Sequence, residues 1–235
     1  MTATPPEARL LDVRRLGTQT YEETYTLQQE LLEARIAGEI RDTLVLVEHE
    51  PVITIGRKGD PGLARQTGLP VFEVERGGEA TYHGPGQVVA YPILALPEDK
   101  RDLHRYLRDL EEVVLRVLAE VQIEGRRVDG KTGVWIGDQK VASIGVAVRR
   151  WVTWHGLALN VHTDLTAFQG WNPCGLDPEV MTRVRDHAEI PPATLLFEVL
   201  VIKHVLEVFG LELPPPPAPP KADPDAFPEL PIHPD

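Results

Sequence analysis

The chain has 235 residues, 42% hydrophobic and 26% charged, a globular composition with room for one sizeable core. Its formal net charge of -12 argues against wholesale nucleic-acid binding, which needs a basic footprint. No stretch has the roughly 18 or more consecutive apolar residues of a membrane span, the opening MTATPPEARLLDVRR lacks the order of a secretory signal, and the single cysteine, Cys174, excludes an internal disulfide and a multi-thiolate zinc site.

Residues 1–8 read as a flexible start and 9–210 as one domain of cytoplasmic character. A helix is expected near Tyr21 to Gly38, followed by short β-branched strands at TLVLVE, VITIG and VFEVE. The segment RGGEATYHGPGQ, from Arg76 to Gln87, reads as a glycine-rich loop whose bare backbone lets a ligand lie against the main chain. It fits neither familiar phosphate-loop spacing. After the strand VVAYPIL, apolar residues at Leu103, Tyr106, Leu107, Leu110, Val113, Val114, Val117 and Leu118 recur at helical spacing.

Next come GVWI and KVASIGVAV, joined through Gly137 and Asp138 as a hairpin, and then WHGLALNV. Asp177 before Pro178 has the order of an N-cap and first helical residue, so a short helix should begin just past Cys174. A last helix is expected from Thr194 to Phe209, closed by Gly210. Residues 211–235 hold ten of the 22 prolines and read as an extended or disordered tail. The sum is an α+β fold, a mixed and mostly antiparallel sheet flanked by helices.

A thiol between Pro173 and Gly175, beside a helix start, has the setting of an activated nucleophile. Its proton-moving partner could be His83, His155 or Lys140, and sequence spacing alone does not choose among them. Against the net negative charge, Arg57 with Lys58, Arg126 with Arg127, and Arg149 with Arg150 are the visible basic pairs, candidates for a local positive face.

Three segments together, RGGEATYHGPGQVVAYP, KVASIGVAVRRWVTWHGLALNV and NPCGL, resemble the lipoyl(octanoyl) transferase family over roughly residues 10 to 210. The pattern R-G-G-x-x-T-x-H-G-P-G-Q is met at all nine fixed positions. The resemblance implies a fold like the catalytic domains of biotin and lipoate protein ligases. It also implies transfer of an octanoyl or lipoyl group from the phosphopantetheine of acyl carrier protein, through a cysteine thioester. The acceptor would be a lysine on lipoyl domains of 2-oxoacid dehydrogenase complexes or on the glycine cleavage H protein. Cys174 would be the acylated residue and Lys140 its acid and base. Arg76, Gly77, Gly78, Glu79, Ala80, Thr81, Tyr82 and His83 would bind the substrate, together with Ser143, Ile144, Gly145, His155, Gly156, Leu157 and Ala158. No ATP or metal is implied, and no nucleic acid or membrane partner. Rival readings are an ATP-dependent ligase, a cysteine thioesterase and a silent carrier-binding module.

Overall fold

A computed structural model describes residues 8–169, 171, 177–189 and 193–216. Its main sheet is built from β1 (Arg9–Gln19), β2 (Asp42–His49), β6 (Gln87–Ile93), β7 (Arg126–Val128), β8 (Lys131–Ile136), β9 (Gln139–Arg149), β10 (Val152–Asn160) and β11 (Leu211–Glu212). The spatial order is β11-β1-β2-β6-β10-β9-β8-β7. The two pairings of β1 are parallel and the rest antiparallel, so the mixed, mostly antiparallel expectation holds. A smaller sheet sets β3 (Val52–Ile55) between β4 (Val71–Glu73) and β5 (Ala80–His83).

Helix α3 (Leu103–Glu120) covers one face of the main sheet with α4 (Thr194–Phe209). Leu110, Val113, Val114, Val117 and Leu118 are fully buried, the i, i+3, i+4, i+7, i+8 stripe that the sequence spacing predicts. Each such side chain contributes about 1.5–3 kcal/mol on burial. One acid interrupts the apolar face: Glu111 is buried and meets Arg108 at 2.7 Å, Arg127 at 3.1 Å and the Gly133 amide at 3.1 Å. Asp102 caps the helix by accepting from the His104 and Arg105 amides.

Helix α1 (Tyr21–Ala37) covers the other face. Thr20 and Glu23 close its start as a reciprocal capping box, and Gly38 ends it with φ of 77°. Its buried residues, Tyr21, Thr24, Gln28, Leu31 and Leu32, bring hydroxyl and amide groups inward among the leucines, so this face is not a plain apolar stripe. A four-residue turn, α2 (Pro61–Ala64), follows β3. No helix among the described residues is long and apolar enough to cross a membrane.

The glycine-rich segment is not all loop. Its centre, Ala80 to His83, is the strand β5, paired antiparallel with β3 through Val52↔His83 to Ile55↔Ala80. The paired backbone of Leu211 and Glu212 with Arg9 and Leu10 also carries the ordered sheet past the expected end at Gly210. Gly137 turns between β8 and β9 with φ of 54°, giving the expected hairpin.

Candidate active site

Strand alternation decides what β5 offers. Thr81 and His83 face a cavity of about 230 Å³, whereas Ala80 and Tyr82 point the other way, into a cluster with Ile53, Ile55 and Phe168. Tyr82 meets Phe168 edge-on at 5.5 Å. The cavity floor is the main sheet: Val89 and Tyr91 from β6, Ser143 and Gly145 from β9, and Gly156 and Ala158 from β10. Ile144 and Leu157 also border it, with side chains in the core cluster of α3 and α4. Arg76, Gly78 and Glu79 border it from the loop before β5.

Two glycines make close approach possible here. Gly145 and Gly156 are cross-strand partners, and a Cβ on Gly145 would lie 3.0 Å from both Arg76 Cδ and the Gly77 carbonyl. The Gly77 amide donates to the Val146 carbonyl at 2.9 Å, so this loop is fastened to β9 along its main chain. Gly77, Ala80 and Tyr82 thus support the cavity wall from behind; they do not line it.

Lys140 borders the same cavity and is buried. Room for its stem comes from Gly133, where φ is 130° and a Cβ would fall 2.7 Å from Lys140 Cε and 2.6 Å from the Ala142 carbonyl. Glu111 holds the Gly133 amide, linking the buried acid of α3 to the lysine's seat. Cys174 lies outside the described residues. The chain is described again from Asp177, whose carboxylate accepts from the Glu179 amide at 3.0 Å and starts a single 3-10 turn, Pro178–Val180. Met181 then makes a parallel bridge with Lys140.

Two buried imidazoles, His83 and His155, border the cavity, a third, His49, packs edge-on against His83 at 5.7 Å, and burial holds each of them neutral. His49 is lowered to about 4 and His155 to about 3, both mainly by desolvation. His83 is held well below the ordinary value, first by burial and then by the neighbouring His49. The hydrogen bonds agree. His49 Nδ1 meets the Gln19 carbonyl, which only accepts, so its Nε2 accepts from the Tyr91 hydroxyl at 2.8 Å. Tyr21 stacks on His83 with centroids 6.2 Å apart, and burial raises its hydroxyl far above the usual phenol range.

His155 adopts a left-handed backbone with φ of 56°, a conformation costing a residue of this kind about 1–3 kcal/mol. Two contacts impose it. Its amide donates to Gln28 Oε1 of α1 at 3.0 Å, and its ring stacks on Trp154 at 4.3 Å. The Nε2 atom is buried, makes no hydrogen bond among the described residues, and stands 4.0 Å from Glu75.

Charge at the cavity runs opposite to charge on the chain. Lys58, Arg76, Lys131 and Lys140 border it against one acid, Glu79, in a protein of net charge -12. Of the basic pairs visible in the sequence, Arg126 pairs with Asp138, Arg127 with Glu111 and Glu112, and Arg149 with Glu33. Those three are committed within the fold, whereas Lys58 reaches the cavity. Sequence reading passed over Tyr21, Lys58 at the cavity, Val89, Tyr91, Lys131 and Thr132. Tyr91 is hidden inside a greasy strand, and Tyr21 at a helix start.

Comparison with known proteins places this geometry. Residues 20–205 match the family model described as lipoyl protein ligase A/B catalytic domain. An octanoyltransferase from Geotalea uraniireducens is 50% identical over 161 residues, covering 68% of this chain and 75% of the relative. One from Syntrophotalea carbinolica is 42% identical over 204 residues, covering 87% of this chain and 97% of the relative. A bi-partite lipoate protein ligase solved from Thermoplasma acidophilum shares the fold, with a TM-score of 0.66 at 16% identity, covering 87% of this chain and 86% of that one. With its mixed sheet, its flanking helices and a family match over most of its length, the chain belongs to the lipoyl protein ligase A/B catalytic domain family.

Proposed function

We propose that this protein is an octanoyltransferase that takes the octanoyl group from acyl carrier protein and delivers it to a lysine of a lipoyl domain, through a thioester on Cys174. The observation that carries the reading is the likeness to octanoyltransferases, over 97% of the length of one of them, in a chain whose segments RGGEATYHGPGQVVAYP and KVASIGVAVRRWVTWHGLALNV converge on one lysine-bordered cavity. In the first half-reaction the Cys174 thiolate attacks the carbonyl carbon of the donor thioester. A new carbon–sulfur bond forms, the pantetheine carbon–sulfur bond breaks, and the Lys140 ammonium gives its proton to the leaving thiolate. In the second, the acceptor amine attacks the acyl enzyme, the bond to Cys174 breaks, and neutral Lys140 takes the surplus proton.

Neither half needs ATP, because a thioester donor is already activated, and no metal is part of the proposal. The burial of Lys140 supports its role, since a lysine beside a thiol in a shielded site favours the thiolate. Gly145, Gly156 and Ala158 keep side chains small where an acyl chain would lie along the sheet, with Ser143 and Thr81 beside it. Lys58 and Lys131 give the cavity the positive sign that an acidic carrier calls for.

The test is intact-mass measurement after incubation with octanoyl acyl carrier protein. A parent protein heavier by one octanoyl group, with no gain in Cys174→Ala, is the expected result; an adduct that persists without the thiol rules the assignment out. Adding a lipoyl domain then separates transfer from hydrolysis, since a thioesterase releases free octanoate and leaves the domain unmodified.

A further inference from the structure

Gln87 ends the pattern R-G-G-x-x-T-x-H-G-P-G-Q and Asn160 is next to last in KVASIGVAVRRWVTWHGLALNV, yet no role in the reaction falls to either of them. Both are buried. They are the middle of a hydrogen-bond chain whose sense can be worked out atom by atom. Gln87 Nε2 donates to the Tyr82 carbonyl at 3.1 Å, and Asn160 Nδ2 donates to the Thr182 carbonyl at 3.0 Å. Backbone carbonyls only accept, so both amide orientations are determined. Gln87 Nε2 therefore also donates to Asn160 Oδ1 at 2.9 Å, and Gln87 Oε1 accepts from His83 Nδ1 at 2.8 Å. The neutral imidazole then accepts at Nε2 from Thr54 Oγ1 at 3.2 Å, and Thr54 Oγ1 accepts from Arg76 Nη2 at 2.9 Å.

Every bond thus points one way, from the Arg76 guanidinium to the Thr182 carbonyl. The next link is backbone: the Thr182 amide donates to the Lys140 carbonyl at 3.0 Å. The place where this chain ends is one that the sheet itself holds loosely. The β8–β9 ladder shifts register between Val134 and Trp135, opposite the start of β9. Met181 and Thr182 belong to no named strand and touch β9 through a single isolated bridge. Cys174 precedes Met181 by seven residues.

We infer that Gln87 and Asn160 are positioning residues, a one-way relay from the Arg76 loop that fixes the Lys140 main chain against the Met181–Thr182 segment. Its bearing on catalysis rests on the transfer reading above; its geometry does not. A one-way chain tolerates no reversed member, because reversal sets two acceptors or two donors face to face without water to separate them.

Asn160→Asp keeps size and shape and makes this testable. Ionised, its carboxylate has no hydrogen for the Thr182 carbonyl; protonated, its O–H donates there and restores the chain. Burial and the facing carbonyl raise that carboxyl's pKa. The other titratable or charged groups around it are His83 on β5, Lys140 on β9, Glu48 on β2 beside the Gly86 amide, Arg183 next to Thr182, and His187 on the Thr182 hydroxyl. Full-length parent, N160D and N160L are compared at pH 6, 7 and 8.5 by amide exchange at Thr182 and by the rate of octanoyl adduct formation, each relative to parent at that pH.

N160D should lose about tenfold to a hundredfold in both readouts at the highest pH, and recover about fivefold or more at the lowest. N160L should show a loss that does not change with pH. Unchanged exchange at Thr182 in both variants, or a flat N160D ratio, overturns the relay. If N160L does not fold, Gln87→Glu serves in its place, since only its protonated form can donate to Asn160; the same pH recovery is expected and its absence counts against the relay. A parent that forms no adduct overturns the transfer reading alone, and exchange at Thr182 still decides the relay.

Discussion

The three neutral imidazoles make stability fall steeply with acid, and the size of the effect follows from their folded values. In the unfolded chain each histidine titrates near the ordinary 6.5, while His49 titrates at about 4 and His155 at about 3 in the fold, with His83 also well below. Between those limits the unfolded state binds protons that the folded state refuses, so stability is full above pH 6.5 and drains as pH falls. For one such residue, moving from pH 7 to pH 5 removes about 1.9 kcal/mol, so His49 and His155 together remove about 4 kcal/mol, and His83 adds to the loss in the same direction. A domain of this kind has only about 5–15 kcal/mol in all. The carboxylate Glu112, lowered from 4.5 by hydrogen bonds to Arg127 and Arg116, loses its share only below this window and leaves it clean. Urea unfolding followed by circular dichroism at pH 7.5, 6 and 5 reads the effect; at about 2–3 kcal/mol per molar urea the midpoint should drop by about 2 M. His49→Gln removes one of these sites, so its loss over the same range should be smaller by about 1.9 kcal/mol. A midpoint that barely moves between pH 7.5 and 5, or a His49→Gln slope equal to the parent's, would refute the reasoning.

Two glycine substitutions probe the cavity from different sides. Gly133→Ala forces a Cβ against Lys140 Cε and the Ala142 carbonyl at a φ of 130°, so strain of about 1–3 kcal/mol should lower the melting temperature by about 3–10 °C. Its acyl transfer should fall at least about tenfold through the displaced lysine; a parent-like rate in the folded variant sinks the claim that Gly133 seats Lys140. Gly145→Val presses on Arg76 Cδ, already 3.0 Å from a Cβ there, and narrows the floor. Competition between octanoyl and butanoyl donors should shift toward the shorter chain by about tenfold or more, and an unchanged ratio would place the acyl chain elsewhere.

Much of this fold is legible because its strands are greasy and its helix α3 is strictly periodic, so burial and propensity agree along β2, β6, β9, β10 and α3. What escapes reading does so for physical reasons. In β1, RLLDVRRLGTQ, only Leu11 is buried, and its charges mask a strand that the sheet pairs on both sides. In β5, four residues between glycines are too short to show their alternation, and that alternation decides that Thr81 and His83 reach the cavity while Ala80 and Tyr82 do not. Helix α1 carries Thr24 and Gln28 inward, which weakens its apolar stripe, although the Thr20 to Glu23 capping box was there to be seen. The convergence of Tyr91, Lys140 and His155 on one cavity is likewise a matter of sheet order: β6, β10 and β9 are spatial neighbours although a helix and two strands separate β6 from β9 along the chain.

The cavity wall looks too polar for a fatty cargo until its hydrogen bonds are followed. Tyr91 donates a hydrogen bond to His49 Nε2, His83 is engaged at both nitrogens, and Thr54 is engaged by Arg76 and His83. Groups so occupied present ring faces and hydrocarbon edges, with little left to solvate, and an acyl chain displaces no water that they need. The neutrality of the imidazoles suits the proposed acyl substrate, because a charged ring beside the cavity would draw water into it. His155 is the member whose Nε2 stays unpaired among the described residues, on a backbone strained into place by Gln28. The polar inventory of the cavity is therefore compatible with an apolar substrate. On the proposed reading the reactive end lies apart from this wall, at Lys140, whose side chain is seated by Gly133 and whose carbonyl is held by the Thr182 amide.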